Sequence, residues 1–220
     1  MFSGIIEDRH NVTSVVDSGG LRRLTVHLGE SASALSLGAS VAINGVCLTV
    51  ASLDPPHATF EIVPETLRRS TLGTLQSGER VNIEHSLRAG APIDGHFVQG
   101  HVDGVGTVTA VDVAGGDYIL SITPPAALMR YMVPKGSVAL DGVSLTIAAV
   151  EHDHFTVALV PTTLARTTLG ERGTGDTVNI ETDLLVRAVA RLLGTPDHLL
   201  SAPDNTGDID LTTLRQAGFL

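Results

Sequence analysis

The chain repeats itself, and that constrains its fold more than any other feature. Residues 40–50, SVAINGVCLTV, align without a gap on residues 137–147, SVALDGVSLTI, at an offset of about 97 positions. VPETLRRSTLG from Val63 falls on VPTTLARTTLG from Val160 at the same offset, as does VNIE from Val81 on VNIE from Val178. The openings correspond at an offset one residue shorter, with Gly4-Ile5-Ile6-Glu7 over Gly100-His101-Val102-Asp103. Such a period is too long for a solenoid unit and matches a duplicated domain with its boundary near Phe97.

Within each copy the segments SVAINGVCLTV, TFEIVPETL and RVNIEHSL alternate apolar and polar residues or carry short apolar runs between Gly, Pro and Asp turns. Glycine is frequent (23 residues) and aromatics make up only 3%. Short Val-, Ile- and Leu-rich strands joined by tight turns suit that composition better than long helices. The expected class is all-β, with two small closed barrels or sandwiches and one helical turn after each Val-Pro pair. TDLLVRAVARLLG, residues 182–194, has apolar residues at helical spacing, ends at Gly194 and Pro196, and has no counterpart in the first copy. Its apolar face suggests self-association; packing on its own barrels is the alternative. Residues 195–220 read as a polar tail, with Asp210 placed to cap a short terminal helix.

A formal charge of -10 with no basic block speaks against a nucleic-acid partner. No apolar run approaches the roughly 20 residues that span a bilayer, and no export signal opens the chain, so neither membrane association nor secretion is expected. The single cysteine, Cys47, forbids an intrachain disulfide and fits a cytoplasmic protein.

Paired positions that differ between the copies are candidates for chemistry. Cys47 and Ser144 stand in matching Gly-Val-x-Leu-Thr frames, beside Thr49 and Thr146. Cys47 also reads as a small buried hydrophobe, whereas the Ser144 hydroxyl, flanked by apolar residues, needs a partner. GHFVQGHVDG, residues 95–104, holds His96, His101 and Asp103 in a spacing that matches no common metal set. His101 suits either proton transfer in a pocket or a structural role at the junction. Neither a phosphate-binding glycine loop nor a hydrolase Gly-x-Ser-x-Gly elbow is present.

From MFSGIIE through GVCLTV, VPETLRRSTLG, GHFVQGHVDG, KGSVALDGVSLT and VNIETD, about residues 1–190, the sequence resembles the riboflavin synthase family of tandem lumazine-binding repeats. The resemblance implies two six-stranded Greek-key barrels, residues 1–97 and 98–187, and a homotrimer joined through the helix at 182–194. It implies transfer of a four-carbon unit between two 6,7-dimethyl-8-ribityllumazine molecules, giving riboflavin and a ribitylaminopyrimidine without cofactor or metal. The productive ligand pair would form between the first barrel of one subunit and the second barrel of its neighbour. By motif, the first-barrel contacts are Gly4, Ile5, Ile6, Cys47, Leu48, Thr49, Glu61, Ile62, Val63, Pro64, Glu65 and Thr66. Those of the second are Gly100, His101, Val102, Ser144, Leu145, Thr146, Ala158, Leu159, Val160, Pro161, Thr162 and Thr163, with Lys135 reaching from a partner subunit. Phe2 and Ser3 resemble the family's catalytic N-terminal pair, and Cys47, His101, Ser144, Thr146 and Asp183 match polar positions near the reacting rings. Glu65 becomes Thr162 in the second copy, so the two barrels would bind lumazine unequally. A complex with a lumazine synthase shell stays open, as does a non-catalytic role like that of the fluorescent antenna proteins of luminous bacteria.

Overall fold

The structure, a computed structural model, describes residues 1–194; the tail and terminal helix expected over 195–220 lie outside the described residues. Six strands form the first barrel: β1 (Asp8–Ser18), β2 (Leu21–His27), β3 (Ser40–Ile43), β4 (Val46–Asp54), β5 (His57–Ile62) and β6 (Arg80–His85). They are antiparallel and close in the order β1-β2-β5-β4-β3-β6. The second barrel repeats this plan with β7 (Gly104–Ala114), β8 (Asp117–Thr123), β9 (Ser137–Leu140), β10 (Val143–Val150), β11 (Phe155–Ala158) and β12 (Thr177–Thr182).

The period-two pattern explains the strands. Val46, Leu48 and Val50 of β4 point into the first core while Thr49 faces out, and Val143, Leu145, Ile147 and Thr146 do the same in β10. Burying each such aliphatic side chain contributes about 1.5–3 kcal/mol. Bulges at Val12/Ser14 and Val50/Ser52 recur at Val108/Ala110 and Ile147/Ala149, supplying the bend that closure demands. Each Val-Pro pair opens a short helix as expected, α1 (Pro64–Arg69) and α3 (Pro161–Arg166); a further turn, α2 (Ala126–Met129), precedes β9.

The barrels meet through their equivalent hairpins. Asn44-Gly45 and Asp141-Gly142 turn with positive φ at both residues, the requirement of a two-residue hairpin loop. A Cβ on Gly45 would stand 2.5 Å from the Gly142 nitrogen, so the tips approach to a distance that only glycine permits. Asn82 donates to the Asp141 carbonyl at 2.9 Å and Asn179 to the Asn44 carbonyl at 2.8 Å, a reciprocal lock built from the repeated VNIE blocks.

The final helix, α4 (Leu184–Leu192), follows β12 directly, with the Asp183 carboxylate accepting the Leu185 amide at 2.7 Å as its cap. Leu185, Val189 and Leu192 are exposed on it, as is Leu193 at its C-cap. No helix among the described residues is long and apolar enough to cross a membrane.

Candidate functional site

The glutamates of the two VNIE blocks hold the segments that lead into each barrel. Glu84 accepts the Ser3 amide (2.7 Å), the Ser3 hydroxyl (2.8 Å) and the Gly4 amide (3.0 Å). Glu181 accepts the amides of Gln99 (2.6 Å), Gly100 (2.9 Å) and His101 (2.9 Å). Burial pushes both carboxyls above their usual range while these hydrogen bonds pull the other way. Anchored so, each segment crosses to the opposite barrel. The Gly100 carbonyl accepts the Cys47 amide at 2.9 Å, and the Gly4 carbonyl accepts the Ser144 amide at 2.8 Å. Ile6 is buried in the core of the second barrel, and Val102 packs on that of the first.

This exchange corrects the grouping expected from the motifs. Gly100, His101 and Val102 stand with Cys47 at the first barrel, and Gly4, Ile5 and Ile6 stand with Ser144 at the second. The repeat offset identifies equivalent residues, whereas contact depends on the path of the connecting segments across the interface.

Val46, Cys47, Glu65, Thr66, Arg69, Ser70, Gly100, His101, Val102 and Asp103 line a cavity of about 300 Å³ on the first barrel. Cys47 is half-buried and His101 exposed to the cavity. At the rim, the Glu65 carboxylate accepts Arg69 Nε at 2.8 Å and also pairs with Arg68, which holds it below the usual carboxylate range. Glu61 lies apart, paired with Arg23 at 3.0 Å in an open outer groove of about 470 Å³ that also takes in Ser14, Thr25 and Thr59.

At the second barrel the Ser144 hydroxyl finds its partner: His96 Nδ1 stands 2.7 Å away. Burial depresses the His96 pKa, with the Asp183 carboxylate opposing. The imidazole is therefore neutral near pH 7, and Nε2, buried without a partner among the described residues, is left open. A hydroxyl joined to a neutral imidazole can pass a proton in either direction. Thr146 is exposed one position beyond Leu145.

Other expected site residues are placed in different surroundings. Phe2 is fully buried with Ala42, Val98 and Ala139, so its side chain is packing at the junction, and its amide donates to the Val98 carbonyl at 2.7 Å. The Ser3 hydroxyl is committed to Glu84. Leu48, Ile62, Leu145 and Leu159 send their side chains into the cores, leaving only main-chain groups for a ligand, whereas Val63 and Val160 are exposed. Pro64, Thr66, Pro161, Thr162 and Thr163 occupy the first turns of α1 and α3, with Ala158 exposed at the end of β11. Lys135 is exposed in a left-handed turn before β9, with φ of +66°, and its amide donates to Ile147. Sequence reasoning gave no role to Glu84 and Glu181, although the verbatim repetition of VNIE was the signal. It also left His96, Arg69, Ser70 and Arg187 unassigned.

The lumazine binding domain family matches twice, over residues 3–86 and 99–183. A riboflavin synthase of Actinobacillus pleuropneumoniae is 34% identical over 220 residues, covering 100% of both chains. The chain belongs to the riboflavin synthase family. A relative of that name from Mycobacterium tuberculosis is 42% identical over 200 residues (88% of this chain, 98% of that one), and one from Bacillus subtilis is 35% identical over 193 residues (88% and 90%). In fold the family member superimposes on LumP bound to 6,7-dimethyl-8-(1'-D-ribityl) lumazine with a TM-score of 0.75. That match covers 83% of this chain and 99% of the other at 22% identity, a likeness of architecture.

Proposed function

We propose that this member of the family is a riboflavin synthase, dismutating two 6,7-dimethyl-8-ribityllumazine molecules into riboflavin and 5-amino-6-(D-ribitylamino)uracil. The observation that carries the reading is the pair of matched sites, each built by both repeats: Cys47 with Gly100 and His101 on one barrel, Ser144 with Gly4 on the other. A reaction between two identical molecules calls for two related seats. The gain from holding them face to face is the conversion of a bimolecular encounter into an oriented one.

In this reading one lumazine loses a proton from its 7-methyl group, the resulting carbanion attacks the second, and ring closure with elimination moves a four-carbon unit. All atoms of the two lumazines reappear in the two products. The Ser144–His96 pair is the proposed proton relay at the second seat, since a neutral imidazole can accept what the substrate releases. Main-chain groups beside Leu48 and Leu145 would read the heterocycle, and the α1 and α3 turns would receive the ribityl chains. Exposed Leu185, Val189 and Leu192 on α4 support assembly of a homotrimer, which would bring a first barrel of one subunit to a second barrel of the next, with Lys135 completing the neighbour's seat. A cytoplasmic location completes the proposal.

The test is to incubate purified protein with the lumazine alone, in the presence of a chelator, and to separate the products by chromatography. Equimolar riboflavin and pyrimidine are expected. Lumazine bound but unchanged would replace the enzyme with a binding protein.

A further inference from the structure

We propose that Arg187 is a positioning residue for the first-barrel seat, tying helix α4 to the segment that carries Gly100, His101 and Val102 into it. The inference rests on the reading of that cavity as a lumazine site. Arg187 Nη1 donates to Asp103 Oδ1 at 2.6 Å, and Nη2 donates to Gln99 Oε1 at 2.9 Å. Gln99 and Asp103 bracket the three residues, so one guanidinium grips both ends of the segment. The other Asp103 oxygen accepts the Thr182 amide (2.8 Å) and hydroxyl (2.7 Å), just ahead of the helix.

The arrangement differs from an ordinary surface ion pair. The Asp103 side chain is 15% exposed and that of Arg187 25%, and the charge-assisted fork fixes direction as well as distance. Glu181 already holds the main chain of the segment. Arg187 adds the orientation of its ends, including Asp103, a residue that lines the cavity, and a mechanical link to α4.

Comparison of the two copies shows that this link is an addition to the repeated plan. The equivalent segment of the first copy ends in Glu7, which pairs with His85 Nδ1 at 2.7 Å on its own barrel. Thr182 stands where that copy has His85, and no helix follows β6. The first-barrel seat thus answers to the position of α4, the element whose opposite side carries the exposed apolar residues, while the segment entering the second-barrel seat is held by Glu84 and His85 of the first barrel.

The test compares full-length wild type, Arg187→Met and Arg187→Lys by lumazine fluorescence titration, steady-state kinetics and light scattering. In Arg187→Met, kcat/KM is expected to fall about ten- to hundred-fold, the scale of a reacting group displaced by about 1 Å, at unchanged assembly mass. Arg187→Lys, which keeps the charge and loses the fork, recovers part of the loss, and it carries the test if the Met variant does not fold. Wild-type affinity and kcat/KM in both folded variants would overturn the proposal, as would a loss that follows only the folded fraction. Failure of wild type itself to bind lumazine would instead remove the reading beneath it.

Discussion

Gly100, from the second repeat, accepts the amide of Cys47, from the first, at 2.9 Å while holding a φ of +81°. A Cβ added at Gly100 would stand 2.5 Å from Cys47 Cβ and 2.9 Å from its nitrogen, against atoms that cannot turn aside. Gly100→Ala is therefore expected to cost about 1–3 kcal/mol of stability and to widen the first seat. Thermal denaturation and lumazine titration check both effects. Gly4→Ala, facing Ser144 at 2.6 Å, is the matching change at the second seat, and unaltered stability in both variants would contradict the exchange of segments.

The Ser144–His96 pair sets a pH dependence. Burial lowers the His96 pKa from its ordinary value of 6.5, so the neutral, proton-accepting form prevails above that pH and is lost as pH falls through the lowered value. The acid limb of kcat is expected below pH 6.5 and absent from the residual activity of His96→Gln. Ser144→Ala and His96→Gln are each expected to reduce kcat by about 10²–10⁴-fold, with the double variant little worse than either, because the two act as one unit. Additive losses in a double-mutant cycle would separate them.

The fold was legible because duplication and period-two patterning are local properties of the sequence. Val46, Leu48 and Val50 alternate in the same way wherever the strand lies, and the repeat at Val143, Leu145 and Ile147 doubles the signal. The site was only half legible. Cys47, Ser144 and the Val-Pro turns were marked by the offset, but the offset is silent about Gly100 crossing to Cys47. Nor could it show that Phe2 is buried, since a terminal phenylalanine reads alike as ligand contact or packing. His96 was visible only as a member of an unsuitable metal set, because it lies in an irregular segment after β6, where no periodicity points to a partner 48 positions away.

Glu65 faces Arg68 and Arg69, whereas its counterpart Thr162 has no charge to share. Ionised acceptors exceed neutral ones by about 1 kcal/mol per hydrogen bond, or about five-fold in affinity. Glu65→Thr is expected to weaken the first seat by that factor and to bring the two closer together, read as two classes of site collapsing toward one in a lumazine titration.

Leu185 and Val189 lie exposed on α4, on the side opposite Arg187. Leu185→Asp with Val189→Asp is expected to break the proposed trimer into single chains of 22.9 kDa in light scattering, and to abolish turnover while each chain still binds lumazine. A fully active single chain would refute catalysis across subunits.

The central claim, transfer of a four-carbon unit between two seated lumazines, is tested most directly by an equal mixture of unlabelled lumazine and lumazine labelled with carbon-13 at its two methyl groups and the ring carbons that bear them. Mass spectrometry should show riboflavin with none, one or two labelled units in a one-to-two-to-one ratio, and an equimolar pyrimidine with no label. Label retained in the pyrimidine, or riboflavin without the singly labelled form, would contradict the account.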